Sequence, residues 1–416
     1  MKNALLIAAL TITSASAFAS KARMNALQSS EHLLDTQTIF QNPADIMSLP
    51  DHVSVEWGAS SNTSSGVDSG TAEGGFFRSM DDMKWGIYFG RKSPFTAGYR
   101  NNPFAVTKEI TAESGSSKFL FGSGAGVNVF QGQDNPLELF WGMKGDINYG
   151  ASLTYSDSKV TRATGSTATQ LAEASQQSMG LRLGAKTDMW DAYANLGLIN
   201  RATTRSESSF SSLGDQSAEY KGDTSFKVGG SYVMDSMYYH LSYASDGAKI
   251  DETTSSVSNP EANKKTGQVI TLGAINQNSF EGGQFFYGAS LVNTTGKHEV
   301  VNRANVVAQS TEYKISSMAL PVLAGVEFDA TSWLTVRGAV SQNLPFSTGK
   351  TEQTTGSTTT AQNSNNATNT SVTAGVGMKF GKLTFDGFLR GSKNAGGKFG
   401  SDAENFLGNA SVTYLF

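Results

Sequence analysis

Residues 147–155, INYGASLTY, show the pattern that decides the fold class of this chain of 416 residues. Ile147, Tyr149, Ala151, Leu153 and Tyr155 alternate with polar or very small residues. A period of two places alternate side chains on opposite faces of a β-strand. The same alternation recurs at 179–185, 237–243, 285–291 and 372–380. No segment after residue 50 shows a convincing helical period, so the pattern predicts an all-β chain.

The connections between these strands alternate in length. Short turns are predicted at 80–82, 144–146, 187–189, 234–236, 329–331 and 381–382. Long stretches rich in Ser, Thr and Asn lie between them, at 161–173, 202–218, 251–264, 298–310, 347–368 and 394–404. Tight periplasmic turns and long extracellular loops are typical of outer-membrane barrels. We therefore expect residues 52–416 to form a closed antiparallel transmembrane β-barrel of about sixteen strands, within a range of about 14 to 18.

Composition agrees with a barrel and excludes several other classes. Mean hydropathy is only −0.28, and no internal stretch reaches the roughly 18 apolar residues of a membrane helix. In a barrel only every second residue must face lipid, which reconciles low hydropathy with membrane insertion. Net charge is −4 and Cys is absent. These values argue against a nucleic-acid partner, disulfides, Cys-ligated zinc and thiol catalysis.

Two soluble folds share the β pattern. A periplasmic β-sandwich would have turns of mixed length at both ends and would rarely need sixteen strands. A β-helix would show a fixed short repeat, and the sequence has no repeat beyond the polarity alternation. The regular change between short and long connections therefore favours the membrane barrel.

The first residues predict export. Met1-Lys2-Asn3 gives a short positive region, an apolar region follows to Ile12, and Ala17-Phe18-Ala19 supplies an A-x-A cleavage site. This order is that of a signal peptide. We expect residues 1–19 to be removed, with Ser20 as the first mature residue.

The last six residues, SVTYLF, place Val412, Tyr414 and Phe416 on one strand face. An apolar alternating final strand that ends in an aromatic residue resembles the signal by which the barrel-assembly machinery recognises Gram-negative outer-membrane barrels. Length and loop style also resemble the major outer-membrane proteins of predatory bacteria. The resemblance implies a location in the cell outer membrane. It also implies contact with lipid and lipopolysaccharide, and a homotrimer is one compatible assembly.

Residues 20–51 precede the first strand and differ from the rest. Met24 to Leu34 is a short amphipathic stretch, and Asn42-Pro43 predicts a helix cap followed by proline in the first turn. The segment TIFQNPADIMSLP, residues 38–50, resembles the N-terminal region of the long-chain fatty-acid transporter family. In that family an N-P-A segment belongs to a plug, although the Gly or Ala expected after it is Asp45 here. The resemblance implies a plug or periplasmic cap, and a helix that seals the barrel base is the alternative.

The sequence offers little for catalysis, so we predict no enzyme and no cofactor. His32, His52, His240 and His298 are scattered, and no G-x-S-x-G motif occurs. A hydrolase needs a nucleophile beside a base and a third orienting group. No His, Asp or Glu cluster has metal-ligand spacing either, so no metal site is expected. Trp57, Trp85, Trp141, Trp190 and Trp333 lie near strand ends, where an interfacial girdle forms.

Strand register predicts which charges line the lumen. With the apolar faces outward, the inward cations are Lys84, Arg182, Lys227, Arg337, Lys379 and Arg390. The inward carboxylates are Glu56, Glu138, Asp191, Glu327 and Asp386, and His240 also faces inward. A pore responds to the charges that line it, so this near balance predicts weak anion selectivity or none. The alternative is that these charges pair across the lumen.

A stretch of about 45 residues, 92–136, is too long for an ordinary connection. It contains Arg100, Lys108, Glu109 and Glu113 beside two prolines. Porins that resemble this chain narrow the pore with an inward-folded early loop, so these four residues are candidates for a constriction. A surface loop followed by an extra hairpin at 118–130 is an equal alternative.

The sequence thus predicts a porin-like channel for passive diffusion of small polar solutes. Barrels of this strand number enclose a water-filled lumen. Two alternatives stay open. One is a plugged transporter of hydrophobic substrates, suggested by the N-P-A segment, and the other is a structural or adhesive surface barrel.

Overall fold

The computed structural model describes residues 20–58, 71–91, 136–164, 170–206, 216–254, 257–302, 309–345, 349–355, 358–364, 369–393 and 409–416. A short helix, α1, spans Lys21–Ala26, and two 3-10 helices span Thr38–Phe40 and Pro43–Ser48. After them, the described residues form strands and the connections between strands. Among the residues that the structure describes, no helix is long and apolar enough to cross a membrane.

These residues form sixteen strands, three of which are interrupted. The strands are β1 His52–Gly58, β2 Thr71–Met80, β3 Met83–Phe89, β4 Leu137–Met143, β5 Asn148–Thr164, β6 Gln170–Lys186, β7 Trp190–Ser206, β8 Gln216–Gly222 with Ser225–Met234, β9 Met237–Thr254, β10 Val257–Phe280, β11 Gly283–Asn302, β12 Gln309–Asp329, β13 Leu334–Pro345 with Gly349–Thr355, β14 Thr358–Ser364 with Asn369–Phe380, β15 Leu383–Lys393 and β16 Asn409–Leu415. The two parts of β8, β13 or β14 pair with the same neighbouring strands, so each counts as one strand.

All sixteen strands form one antiparallel sheet that closes on itself. Each strand pairs with the next along the chain, and β16 pairs with β1 from His52↔Leu415 to Gly58↔Asn409. Closure leaves no edge with unpaired backbone groups, which hydrocarbon requires. The predicted all-β sixteen-stranded barrel is confirmed.

One end of the barrel, which we call the turn end, carries the short connections. The predicted turns at 80–82, 144–146, 187–189, 234–236, 329–331 and 381–382 all lie there, and a further turn lies at Glu281-Gly282. Asp81 and Asp235 have φ of 54° and Gly381 has φ of 62°. Such left-handed backbone is the geometry of tight hairpin turns.

At the opposite end, much of what the sequence analysis assigned to loops is strand. β10 runs for 24 residues, and the stretch 347–368 contains the paired segments Gly349–Thr355 and Thr358–Ser364. The loop prediction was wrong at these places because a polar sequence can continue an antiparallel ladder in water. Alternating Thr residues have high strand propensity, and the ladder satisfies the backbone without an apolar face.

The barrel exterior is apolar along the strands. Large apolar side chains on the outward parity are exposed, and they include Val55, Phe76, Leu139, Leu153, Leu183, Val228, Leu241, Leu272, Tyr287, Val340, Val376 and Tyr414. Trp57, Trp85, Trp190 and Trp333 are also exposed and lie close to strand ends. A closed barrel with such a wall is a transmembrane barrel of the outer membrane.

The final strand has the predicted register. Its outward residues include Val412 and Tyr414, while Ser411 and Thr413 are buried on the inner side. Phe416 stacks on Phe76 of β2, with ring centroids 5.5 Å apart. The role of Val412, Tyr414 and Phe416 in assembly stays a prediction.

Candidate functional site at the turn end

Residues 20–50, which we call the N-terminal segment, lie against inward-facing side chains near the turn end. Local sequence shapes this segment. Ser20 caps α1 through its hydroxyl, which accepts a hydrogen bond from Arg23 N, and Asn42 Oδ1 accepts one from Ala44 N at 3.0 Å. Pro43 occupies the first turn of the second 3-10 helix. The predicted cap and proline are confirmed at Asn42 and Pro43.

Three apolar clusters attach the segment to the wall. Ile39, Phe40, Ile46 and Leu49 pack with the inward rings of Phe77, Tyr88 and Phe140. Leu27 and Leu33 pack with Ile275 and Phe286, and Ala22 and Ala26 pack with Phe388. The segment therefore buries apolar surface that would otherwise face the lumen, and this burial favours docking.

A row of glycines on three neighbouring strands gives the N-P-A segment its seat. Gly142 pairs with Gly150, and Gly150 pairs with Gly184. A Cβ on Gly150 would overlap Pro43, and a Cβ on Gly184 would overlap the Asn42 side chain. Only glycine lets the backbone of the segment approach the sheet this closely.

Buried ion pairs join the N-terminal segment to the wall strands β12, β13 and β15. Arg23 binds Glu327 of β12 through two hydrogen bonds, of 2.8 and 2.9 Å, and binds Asp35 Oδ2 at 2.9 Å. Glu327 also accepts from Arg337 of β13, which in turn pairs with Asp386 of β15. Paired and hydrogen-bonded charges of this kind are strongly destabilised when one partner is removed.

A second set of polar contacts lies at β1–β3. Lys21 pairs with Glu73, and the Lys21 backbone N–H donates to Glu56 Oε2 at 2.9 Å. Arg91 pairs with Glu73 at 3.4 Å and lies over the ring of Phe40, 3.7 Å from its centroid. These contacts fix the start of the segment and its first 3-10 helix to the same part of the wall.

Wall cations also bind backbone carbonyls of the segment. Lys84 donates to Leu49 O and pairs with Asp51 at 3.1 Å. Arg182 donates to Phe40 O at 2.9 Å and pairs with Glu138 at 2.7 Å. Because these carbonyls point at fixed cations, the wall holds the segment by its backbone as well as by its side chains.

Among the titratable groups of the segment, His32 and Asp35 have pKa values that burial shifts toward the neutral form. Burial lowers the pKa of His32 to about 4, and the nearby positive charge of Arg23 adds to the effect. Burial raises the pKa of Asp35 to about 6, although its ion pair with Arg23 opposes the rise. The docked segment therefore favours a neutral imidazole and tolerates a protonated Asp35.

The structure places most of the predicted lumen residues on the inner wall. Lys84, Arg182 and Arg337 are buried, and Glu327 is partly buried. All four are bonded as described above, so these charges do pair with one another or with the segment. His240 lies 3.2 Å from Ser290 Oγ, and Lys227 lies over the ring of Tyr193. Their part in lining a pore stays a prediction.

Some predicted site residues cannot be placed. Arg390 lies in β15, where it pairs with Thr373, and its side chain is outside what the structure describes. The constriction candidates Arg100, Lys108, Glu109 and Glu113 fall in 92–135, outside the described residues. Within the described ranges, no group of three or more His, Asp or Glu is placed to hold a metal ion.

Sequence reasoning missed Arg23, Asp35 and the glycine row. The signal for Arg23 is weak, since one arginine in a short helix is ordinary. The glycines had a clearer signal, because an isolated glycine within a strand pattern indicates close backbone approach. That signal did not say that Gly142, Gly150 and Gly184 share one row, which requires the strand register.

Farther from the turn end than Arg182, the described inner wall of β5–β7 is mostly polar and uncharged. The buried polar side chains there include Thr154, Ser156, Gln176, Ser178 and Asn200. Ser371 and Thr373 of β14 are also buried, and they accept hydrogen bonds from Gln28 of the segment. Thr154 Oγ1 and Asn195 Oδ1 have no hydrogen-bond partner among the described residues. Buried polar atoms need partners, so water or a polar solute would satisfy them.

Comparison with known proteins gives structural similarity and no family. No protein-family model matches, and no curated protein matches the sequence. Among solved structures, the CymD monoaromatic hydrocarbon channel matches over 95% of this chain and 97% of its own, at 9% identity and a TM-score of 0.38. The Pseudomonas putida toluene transporter TodX matches over 95% and 98%, at 9% and 0.36. The Ralstonia pickettii toluene transporter TbuX matches over 96% and 97%, at 10% and 0.37. At these values the similarities carry no argument about substrate.

Proposed function

We propose that this protein is an outer-membrane channel for small polar solutes that its N-terminal segment closes at the turn end. The observation that carries the proposal is the docking of residues 20–50 on inward side chains from β1 around to β15. Apolar clusters, a glycine seat and buried ion pairs all hold the segment there. A channel closed in this way conducts when the segment is displaced.

The polar wall supports a polar solute. Hydroxyl and amide side chains on β5–β7 offer donors and acceptors to water and to hydrated molecules. Selectivity in pores follows from such lining groups. The paired wall charges leave little net field, so we propose weak ion selectivity and no catalytic role.

The surroundings of the barrel complete the proposal. The apolar exterior contacts outer-membrane lipid, and the rim opposite the turn end contacts lipopolysaccharide. The barrel-assembly machinery recognises the last strand with Val412, Tyr414 and Phe416. The turn end is periplasmic, as the short turns of outer-membrane barrels are.

A transporter of hydrophobic substrates is the second candidate. One observation favours it: Phe77, Tyr88 and Phe140 form an apolar patch on the inner wall beneath the segment. Displacing the segment would expose these rings to a passing substrate. Liposomes that carry the opened barrel separate the two candidates. Uptake of small sugars supports the first, and uptake of an aromatic hydrocarbon faster than in protein-free liposomes, without sugar uptake, supports the second.

Single-channel conductance in a planar bilayer tests closure. The mature chain is expected to stay closed for most of the record, and a chain that lacks residues 20–50 is expected to conduct steadily. Gly150→Val serves as a second variant if the deleted chain does not fold, because it displaces the segment and leaves the rest of the chain intact. Equal conductance in the mature chain and in both folded variants would contradict closure by the segment. No conductance in any of them would favour a structural barrel.

A further inference from the structure

The start of the N-terminal segment lies in a buried site that has more carboxylates than cations. The carboxylates are Asp35, Glu56, Glu73, Glu327 and Asp386, and the cations that contact them are Lys21, Arg23, Arg91 and Arg337. Among the described residues, therefore, five negative groups face four positive ones. A buried carboxylate without a matching charge is costly.

Glu56 is the carboxylate that lacks a cation. Its side chain is only 2% exposed. It accepts hydrogen bonds from the Lys21 backbone N–H and from Gln37 Nε2, and both donors are neutral. No ion pair to Glu56 occurs among the described residues. Glu56 is therefore the carboxylate whose negative charge is unmatched.

Strand register places Glu56 close to Asp386. Both residues pair with Ser411, Glu56 from β1 and Asp386 from β15. The three inward side chains therefore lie side by side in one row across neighbouring strands. Ser411 Oγ is buried and has no hydrogen-bond partner among the described residues.

Ser20 lies over this row. It is fully buried, its hydroxyl lies 3.5 Å from Asp386 Oδ2, and the next backbone nitrogen, Lys21 N, bonds Glu56. The nitrogen of Ser20 is separated from that hydroxyl only by its own Cα and Cβ. The nitrogen therefore lies close to two atoms that contact the row, the Ser20 hydroxyl beside Asp386 and Lys21 N beside Glu56.

We propose that the free α-ammonium of Ser20 is the missing cation, and that removal of residues 1–19 strengthens the docking of the N-terminal segment. Hydrolysis of the Ala19–Ser20 peptide bond by a leader peptidase consumes one water. It leaves a carboxylate on Ala19 and an ammonium on Ser20. The three N–H donors of that ammonium match Glu56, Asp386 and Ser411 Oγ. This inference rests on the cleavage expected from the sequence and is separate from conductance.

The test compares three refolded chains that differ only at the N-terminus. The first begins at Ser20 with a free amine, the second carries an Nα-acetyl group on Ser20, and the third has Gly-Gly before Ser20. Each also carries Leu33→Cys, a buried reporter thiol in a chain with no other Cys. Maleimide labels this thiol only when the segment leaves the wall, so the labelling rate measures docking.

The acetylated and extended chains are expected to label at least about tenfold faster, because each leaves a buried carboxylate unmatched. The Glu56→Gln background distinguishes the effect of losing the ammonium charge from the steric effect of the acetyl group. There the count of charges balances without the ammonium, so acetylation should no longer raise the rate. Glu173→Gln, at a partly exposed pair with Lys159, is the control background in which the acetylation effect persists.

Equal labelling of the free and acetylated chains would overturn the proposal. So would an acetylation effect of the same size in Glu56→Gln, since that result would assign the effect to the bulk of the acetyl group. Thiol labelling reports docking even if the barrel never conducts. Failure of this inference is therefore distinguishable from failure of the proposed channel function.

Discussion

Arg23 and Glu327 are 304 positions apart in the chain, yet two hydrogen bonds of 2.8 and 2.9 Å join them inside the barrel. Arg23 is 3% exposed and also binds Asp35 within its own segment. The pair therefore links the N-terminal segment to the wall through a planar, bidentate contact, which is the strongest kind of charged hydrogen bond. Docking of the segment should depend on it more than on any exposed ion pair.

Removing Glu327 should release the segment. In Glu327→Gln the buried Arg23 and Arg337 lose a shared partner, and breaking a buried pair costs about 3–5 kcal/mol. We expect maleimide labelling of Leu33→Cys to rise by about two to four orders of magnitude, as that free energy implies. Glu312→Gln is the matched control, because its pairs with Lys297 and Lys314 are solvent-accessible.

Adding Arg23→Gln to Glu327→Gln closes a double-mutant cycle. Each single change removes one of the two ionic partners of the other side chain, since Arg23 keeps Asp35 and Glu327 keeps Arg337, whereas the double change removes both members of the pair. The double variant should therefore label more slowly than the sum of the two single free-energy changes predicts. Strict additivity would mean that the two side chains do not interact in the membrane-embedded protein.

The glycine seat gives a steric prediction. In Gly150→Ala the new methyl group overlaps Pro43 and must displace the segment or the strand. Overpacking of this kind costs about 1–3 kcal/mol. We therefore expect the labelling rate of Leu33→Cys to increase by about tenfold and channel openings to become more frequent. Gly338→Ala is the control, since the nearest atom to its added Cβ is 3.6 Å away. Identical labelling of the two variants would show that Pro43 does not rest on Gly150.

The barrel could be predicted from sequence because the patterns that specify its strands and turns involve only residues close together in the chain. Alternating polarity in residues such as Tyr149 and Leu153 depends only on which face meets lipid, and a tight turn depends only on a few residues. The cap at Asn42 and the proline after it are local for the same reason. The strand count followed from these signals alone.

The site needed information that no local pattern contains. Arg23 contacts Glu327, which lies in the twelfth strand, so this contact depends on the arrangement of the whole barrel. Gly150 lies beside Gly184 only because β5 and β6 pair in one particular register. The loop prediction erred for a related reason. Polarity at 347–368 shows that the residues meet water, but it does not show whether they pair as strands.

The topology predicts an accessible hairpin at the end opposite the turn end. Thr355 pairs with Thr358, so the hairpin of β13 and β14 ends beside these residues. An epitope inserted at Thr359 should be reached by antibody on intact cells, because the turn end faces the periplasm in outer-membrane barrels. An epitope at Asp235 in a short turn should bind antibody only after permeabilisation. The reverse pattern would invert the orientation.

Lower pH should change the docking of the segment through two groups, His32 and Asp35, whose effects on docking are opposite. His32 contacts Phe286 and is influenced by Arg23 and Glu327, and its pKa falls from 6.5 to about 4. His32 therefore takes up a proton more readily in the released segment than in the docked segment. Docking accordingly weakens as the pH falls below about 6.5. Asp35, influenced by Arg23 and Asp386, has its pKa raised from 3.8 to about 6. Here the docked state binds the extra proton, so docking strengthens as the pH falls below about 6.

Between pH 7 and pH 5 the two effects partly cancel in the unmodified chain, with about 2 kcal/mol of docking free energy lost at His32 and about 1 kcal/mol gained at Asp35. Single variants should reveal each effect. His32→Gln should dock about tenfold more tightly at pH 5 than at pH 7, and Asp35→Asn should dock more than tenfold more weakly. Labelling of Ala22→Cys, divided at each pH by its rate in denaturant to correct for thiolate content, measures both. Because the two variants must move in opposite directions, a common direction would assign the pH response to groups elsewhere in the barrel.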